Sequence, residues 1–202
     1  MSLQTRFARV ATDVVIRRPY LWRLLRGRVR AMFDAIAPTW ETRIGPDHVA
    51  ALELALAGLD APRRALDLGS GTGVAAQAVA QHFPAAEVVG VDLAPAMVAE
   101  AVRMLPAELA DRVRFEAGDA SALRFADREF ELVTLANMIP FFDELARVTA
   151  DGGAVVFSFS RGASTPIYVP PERLRRELGR RGFAEFAAFS AGPATALLAR
   201  RR

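Results

Sequence analysis

The sequence predicts an α/β fold, a parallel sheet with a helical cap at its N-terminus, and three observations carry that prediction. From Arg64 onward, short apolar runs alternate with segments of helical period, the pattern of strands joined by right-handed crossover helices. The stretch before it has helical spacing and no strand-like run. The chain has 202 residues, 52% of them hydrophobic and 24% charged, which suits one domain with a sizeable core. Residues 1–60 are read as the cap and 61–202 as the core, both parts of that domain.

In the cap, Phe7, Val10, Val14, Leu21, Leu25, Val29, Met32, Phe33 and Ile36 recur mostly every three or four positions, the helical period. Pro19 breaks or kinks this helix, because proline lacks the amide donor and clashes with the preceding turn. A further helix is predicted over 46–58, with Pro46 at its start and Gly58 near its end. Strands are predicted at 65–68, 88–92, 113–117, 132–136 and 154–159. Helices are expected at 74–82, 95–104, 141–149 and 171–181. The end of the chain, 184–190 then 195–199 around Ala191-Gly192-Pro193, reads as a hairpin of two last strands.

Composition removes several chemistries. There is no cysteine, so disulfides, thiolate metal sites and a cysteine nucleophile are excluded. All 26 basic residues are arginine, which excludes a Schiff-base lysine. Arg6, Arg9, Asp13, Arg17 and Arg18 interrupt any apolar leader, and no run approaches the roughly 20 residues of a membrane-spanning helix. A cytoplasmic protein is expected. The net charge of +3 is unevenly spread: residues 1–30 hold eight arginines against Asp13, and the middle of the chain is acidic. Two readings of the basic ends stay open: contact with an anionic membrane surface or nucleic acid, and, preferred, arginine-rich helices that pack by their apolar faces.

The densest chemistry lies in Asp67-Leu68-Gly69-Ser70-Gly71-Thr72-Gly73. Glycines at alternate positions permit a tight turn and close approach of a ligand to the backbone. The helix after Gly73 directs its N–H groups at that turn. A carboxylate at Asp67 would repel a phosphate but can pair with an ammonium, directly or through water. Asp92 ends the second strand, about nineteen residues beyond the glycines, where a carboxylate can accept both hydroxyls of a ribose. Asp119 follows the third strand, where it can accept the exocyclic amine of an adenine. Three acids at successive strand ends thus make an amine, ribose and adenine set, at the sheet edge where open α/β folds bind ligands.

Over roughly residues 32–202 the chain resembles the class I S-adenosylmethionine-dependent methyltransferases, through ALDLGSGTG (65–73), VVGVDLAPAMVAEA (88–101), VRFEAGDASALRF (113–125), FELVTLAN (130–137) and LARVTADGGAVVFSF (145–159). The resemblance implies a Rossmann-like seven-stranded sheet in the order 3-2-1-4-5-7-6 with strand 7 antiparallel. It implies S-adenosylmethionine as cofactor and a small-molecule methyl acceptor. By position, Asp67, Gly69, Ser70, Gly71 and Gly73 would form the loop around the methionine part, and Asp92 would hold the ribose. Leu93 and Met97 would pack on the adenine, Asp119 and the backbone of Ala120 would read its edge, and Asn137 with Met138 would lie under the methyl group. Upstream, MFDAIAPTWE (32–41) is similar to the closing segment of the ubiquinone and menaquinone methyltransferases, which makes Trp40 a candidate lid residue.

The chain departs from that pattern after Asn137, where the segment to Asp143 is short, so the resemblance names no acceptor. Asn137-Met138-Ile139-Pro140 lacks the Asn-Pro-Pro-Tyr pattern of enzymes that methylate nucleic-acid amines, which disfavours a nucleic-acid substrate. No metal ligand set and no general base is read. Of the two histidines, His82 is expected to be exposed at the end of a helix, and His48 is expected on a helix surface, with reaching the pocket as the lesser alternative. Phe141 and Phe142 are expected to line a pocket or the core, and Tyr168 is expected on a loop at the acceptor edge. Two rivals stand beside methyl transfer. One is an NAD(P)-dependent oxidoreductase, because Gly71-x-Gly73-x-x-Ala76 meets the loose dinucleotide fingerprint. The other is a non-catalytic S-adenosylmethionine-binding module that docks through its basic first helices.

Overall fold

A computed structural model describes residues 3–45 and 48–202. In chain order the regular elements are α1 (Leu3–Arg17), α2 (Trp22–Ile36), α3 (Ala50–Leu56), β1 (Arg64–Leu68), α4 (Val74–His82), β2 (Glu87–Asp92), α5 (Pro95–Met104), β3 (Val113–Ala117), β4 (Phe130–Ala136), α6 (Phe142–Val148), β5 (Thr149–Phe159), α7 (Pro171–Gly179), β6 (Phe183–Ala191) and β7 (Ala194–Arg201). Pro19 ends α1, and a single 3-10 turn over Pro19–Leu21 leads into α2.

The sheet runs β3-β2-β1-β4-β5-β7-β6. β1 to β5 pair in parallel, and β7 lies antiparallel to both β5 and β6. This is the expected order, with β7 antiparallel as expected. Alternate residues of each strand face opposite sides. Leu66, Leu68, Val89, Val133 and Phe157 face one layer with Trp22, Leu145 and Leu174. Ala65, Val88, Leu132 and Val156 face the other with Leu52, Leu56, Ala76 and Val79. The alanine-rich face of α4 lets it lie close against the sheet: Ala76 and Ala80 are fully buried.

Most boundaries agree with the sequence reading to within two residues, and the following differences stand out. β5 begins at Thr149 rather than 154, because Thr149 pairs with Phe130 and the register then slips before Ala154 pairs with Leu132. Gly152, at φ +75°, takes up that irregularity, as glycine does at a bulge. α3 is shorter than the predicted 46–58. His48 and Val49 form a turn ahead of it, and the predicted start at Pro46 lies outside the described residues. α7 stops at Gly179. No described helix is long and apolar enough to cross a membrane.

Candidate cofactor and acceptor site

The C-terminal ends of β1, β2, β4 and β5 come together beside residues 33–41 and His48, and the candidate site lies between them. After β1 the chain turns sharply around the end of β2: the amides of Gly69 and Ser70 both donate to the carbonyl of Val91, at 2.8 and 3.1 Å. Gly69 and Gly73 hold φ of +69° and +90°, the left-handed region that L side chains rarely adopt. A Cβ on Gly69 would also lie 2.7 Å from Met138 Cγ. The loop therefore offers bare backbone where Met138 comes close.

Acids surround this loop. Asp67 and Thr134 are register partners in the β1–β4 pair, and the Thr134 hydroxyl donates to Asp67 Oδ1 at 2.8 Å. Asp67 is 1% exposed, and its Oδ2, like the Ser70 hydroxyl, is buried without a partner. Burial, with the nearby charge of Asp92, pushes the Asp67 carboxyl up to about 7, against the pull of the Thr134 bond. Asp92 accepts from Gly71 N–H and Ala94 N–H, both at 2.8 Å. Its carboxyl is also raised by burial, although those two amide bonds oppose the shift. Asp34 accepts from Ala96 N–H at 3.0 Å at the start of α5.

The segment after α2 covers the loop. Trp40 is half-buried, stands edge-on to Phe33 at 5.7 Å, and its Nε1 comes within 3.5 Å of where a Gly71 Cβ would sit. The Thr72 hydroxyl bonds Glu41. Met97, expected to pack on a ligand's ring, is 1% exposed in a cluster with Ala37 and Ala94, flanked by Phe33, Ile36 and Trp40. Leu93 is half-buried against the main core. Lid and glycine loop are thus in contact through Trp40 and Glu41.

At the end of β4, Asn137 has φ +52°, a conformation that asparagine tolerates better than most residues. Its Oδ1 accepts from Ser160 N–H at 3.0 Å, and its Nδ2 donates to Ser160 Oγ at 3.1 Å. The same Nδ2 lies 3.4 Å from His48 Nε2. His48 follows the lesser of its two readings: it is a half-buried turn residue at the strand ends, not a helix-surface residue. Burial lowers its imidazole pKa, partly offset by the charge of Glu41. Nothing local signals this contact, since 89 positions separate the two residues. His82 is exposed, as expected.

Asp119 differs most from expectation. Trp22 Nε1 donates to its Oδ1 at 2.8 Å, Arg26 Nη1 to its Oδ2 at 3.0 Å, and Ser121 N–H to Oδ1 at 2.9 Å. These donors outweigh burial and hold its carboxyl below the usual range. Both oxygens meant for an adenine amine are thus engaged by α2 and the following turn. Ala120 is buried beside them. Phe141 and Phe142, each 6% exposed, pack in the main core, and Phe141 lies 5.3 Å from the Trp22 ring. Tyr168 stands edge-on to Phe159 at 5.0 Å beyond β5.

Residues 65–153 match the family described as a methyltransferase domain. Over that segment the chain is similar to methyltransferase domains. It is 41% identical over 140 residues to the demethylmenaquinone methyltransferase of Thermus thermophilus, a match that covers 62% of each chain. It is 41% identical over 104 residues to the malonyl-[acyl-carrier protein] O-methyltransferase of Halorhodospira halophila, covering 48% of this chain and 35% of that one. The chain thus spans less than two thirds of either relative's length. Among solved structures, the [4+2]-cyclase SpnF superposes with a TM-score of 0.69 at 19% identity, over 86% of this chain and 94% of that one. That likeness shows the fold alone, and one fold can serve more than one reaction.

Proposed function

We propose that the protein binds S-adenosylmethionine at the Asp67–Gly73 loop and transfers its methyl group to a small molecule. The observation that carries this reading is the charge of the site. Asp67, Asp92 and Asp34 lie around a glycine-rich loop, and burial raises the carboxyls of the first two. A cationic ligand relieves that crowding, whereas a dinucleotide pyrophosphate would add to it. The unpartnered Asp67 Oδ2 and Ser70 hydroxyl suit the ammonium and carboxylate of a methionine moiety. Asp92 uses one lone pair on each oxygen for an amide and keeps another on each for ribose hydroxyls.

When bound, S-adenosylmethionine supplies a methyl group on cationic sulfur, which leaves as a neutral sulfide. The chain's part is to hold the acceptor in line and exclude water, and positioning of this kind can supply about 7–11 kcal/mol. Trp40 and Met138 close over the loop. His48 Nε2 is assigned the proton that a hydroxyl acceptor sheds as its oxygen gains the methyl. The 3.4 Å contact with Asn137 is long for a hydrogen bond, so Nε2 yields it readily. The proton then passes to solvent.

Thermal-shift measurements with S-adenosylmethionine, S-adenosylhomocysteine, NAD and NADP test the cofactor. Stabilisation by the two sulfur ligands is expected. Stabilisation by the dinucleotides alone would overturn the reading.

A further inference from the structure

α2 is apolar on two opposite faces. Trp22, Leu25, Val29, Phe33 and Ile36 form one stripe at helical spacing, all buried or half-buried against the domain. Leu24, Gly27, Arg28, Ala31, Met32 and Ala35 form the opposite stripe, and every one is exposed. Leu24 is 69% exposed, Met32 52%, and Tyr20, just ahead of the helix, 59%. A helix on the surface of a soluble domain ordinarily carries charge on that side. Here five of the six outward positions are apolar or glycine.

The charge around this stripe is nearly all positive. Residues 1–36 hold eight arginines against Asp13 and Asp34. Both acids are already paired, Asp13 with Arg17 and Arg173, and Asp34 with Arg30. Among the described residues Arg18, Arg23 and Arg28 form no ion pair. Two copies of such a face would repel each other. A nucleic-acid backbone would satisfy the arginines yet leave Leu24 and Met32 in water. An anionic bilayer satisfies both, with lipid phosphates for the guanidiniums and the acyl boundary for the apolar stripe.

A cavity of about 290 Å³ lies between this helix and the start of α6, lined by Tyr20, Trp22, Arg23 and Phe141 among others, with Asp143 and Glu144 on its α6 side, each paired with an arginine, Arg181 and Arg147. Tyr20 and Arg23 belong to its rim and are exposed beside the outer stripe. We propose that the outer face of α2 docks on an anionic lipid surface and turns the mouth of this cavity toward the bilayer. The inference stands on the face of α2 and does not depend on the methyl-transfer reading.

Vesicle flotation of the full chain tests it, with phosphatidylcholine vesicles and with vesicles in which about one third of the lipid is phosphatidylglycerol. Binding to the anionic vesicles alone is expected, weakened at high salt. In R18Q/R28Q the affinity should fall about 30-fold, taking about 1 kcal/mol for each arginine lost. L24E should lower it as well. Circular dichroism and thermal midpoint show that the variants remain folded. Equal binding to both vesicles, or to neither, overturns the proposal. Retention on RNA without flotation reassigns the face to nucleic acid, and a dimer by light scattering that L24E dissolves reassigns it to a second copy. Either result overturns a lipid surface.

Discussion

The indole N–H of Trp22 donates to Asp119 Oδ1 at 2.8 Å, joining the first helices to the end of β3 across 97 positions. The indole is buried and the acceptor is charged, so the bond contributes about 1.5–3 kcal/mol. Replacing Trp22 by Phe removes the donor and leaves a smaller ring against Phe141. The expected loss is about 2–3 kcal/mol, or roughly 4–12 °C in melting temperature for a domain of this size. If an adenine amine uses the same oxygen, the indole and the ligand compete. W22F should then bind S-adenosylhomocysteine several-fold more tightly while melting earlier without it. Calorimetric titration beside a melting curve reads both signs, and unchanged affinity would remove Asp119 from the adenine site.

Asp67 makes stability depend on pH. Its folded carboxyl lies near 7 against 3.8 in a free side chain, so between those values the folded state holds a proton that the unfolded state has lost. Stability therefore falls as pH rises from about 4 to 7 and levels off above. Three pH units correspond to about 4 kcal/mol. D67N keeps an acceptor for the Thr134 hydroxyl and loses the ionisation, so denaturant melts from pH 4 to 8 should show a much flatter curve than the native chain. An ammonium bound at Oδ2 would favour the ionised form and expel the proton. Titration of S-adenosylhomocysteine in two buffers of different ionisation enthalpy should detect that release near pH 6.5, and its absence in D67N assigns it.

Much of this was legible in sequence for a physical reason. Strand period, glycine spacing and strand-end acids are local properties, so the strands and the Asp67–Gly73 loop follow from short segments read one at a time, whereas the order of the sheet came only from the resemblance to the methyltransferases. The bulge at Gly152 was hidden because it arises from the pairing of Thr149 with Phe130, a relation between strands. Trp22, Arg26 and His48 were missed for a related reason. Trp22 belongs to an inward apolar stripe that looks like plain core, and its polar edge acquires a partner only when the cap folds onto β3. His48 lies in a turn whose place over Asn137 depends on the packing of α3, which no short window contains.

Asp92 holds the loop and is also the residue proposed to hold the ribose. Asp92→Ala leaves the amides of Gly71 and Ala94 without their acceptor, so a stability loss of about 1–2 kcal/mol should accompany the change. Loss of two hydroxyl bonds to a charged group should weaken S-adenosylhomocysteine binding by about 100-fold or more. Asn is a poor substitute at this position. Its NH2 would meet one of the two amides as a second donor, so D92N should resemble D92A rather than the native chain. A D92N variant with native affinity would mean that ribose is held elsewhere.

His48 gives the sharpest test of the transfer step, because its effect has a pH signature. Burial lowers its pKa from the ordinary 6.5, so the imidazole is neutral and able to accept a proton at pH 7. The methylation rate of a hydroxyl acceptor should be flat above about pH 6.5 and fall as pH drops through the lower folded value. Reduced naphthoquinones and phenols, with tritiated S-adenosylmethionine, are the acceptors to screen, and H48Q should slow the reaction about 100-fold at pH 7 and lose the acidic limb. The Glu41 charge raises the His48 pKa, so E41Q should move that limb to lower pH without removing it. A merely structural His48 would change stability and leave the limb where it was. H48Q retaining the native limb would assign the proton to solvent, and the neutral imidazole would then serve only to orient Asn137.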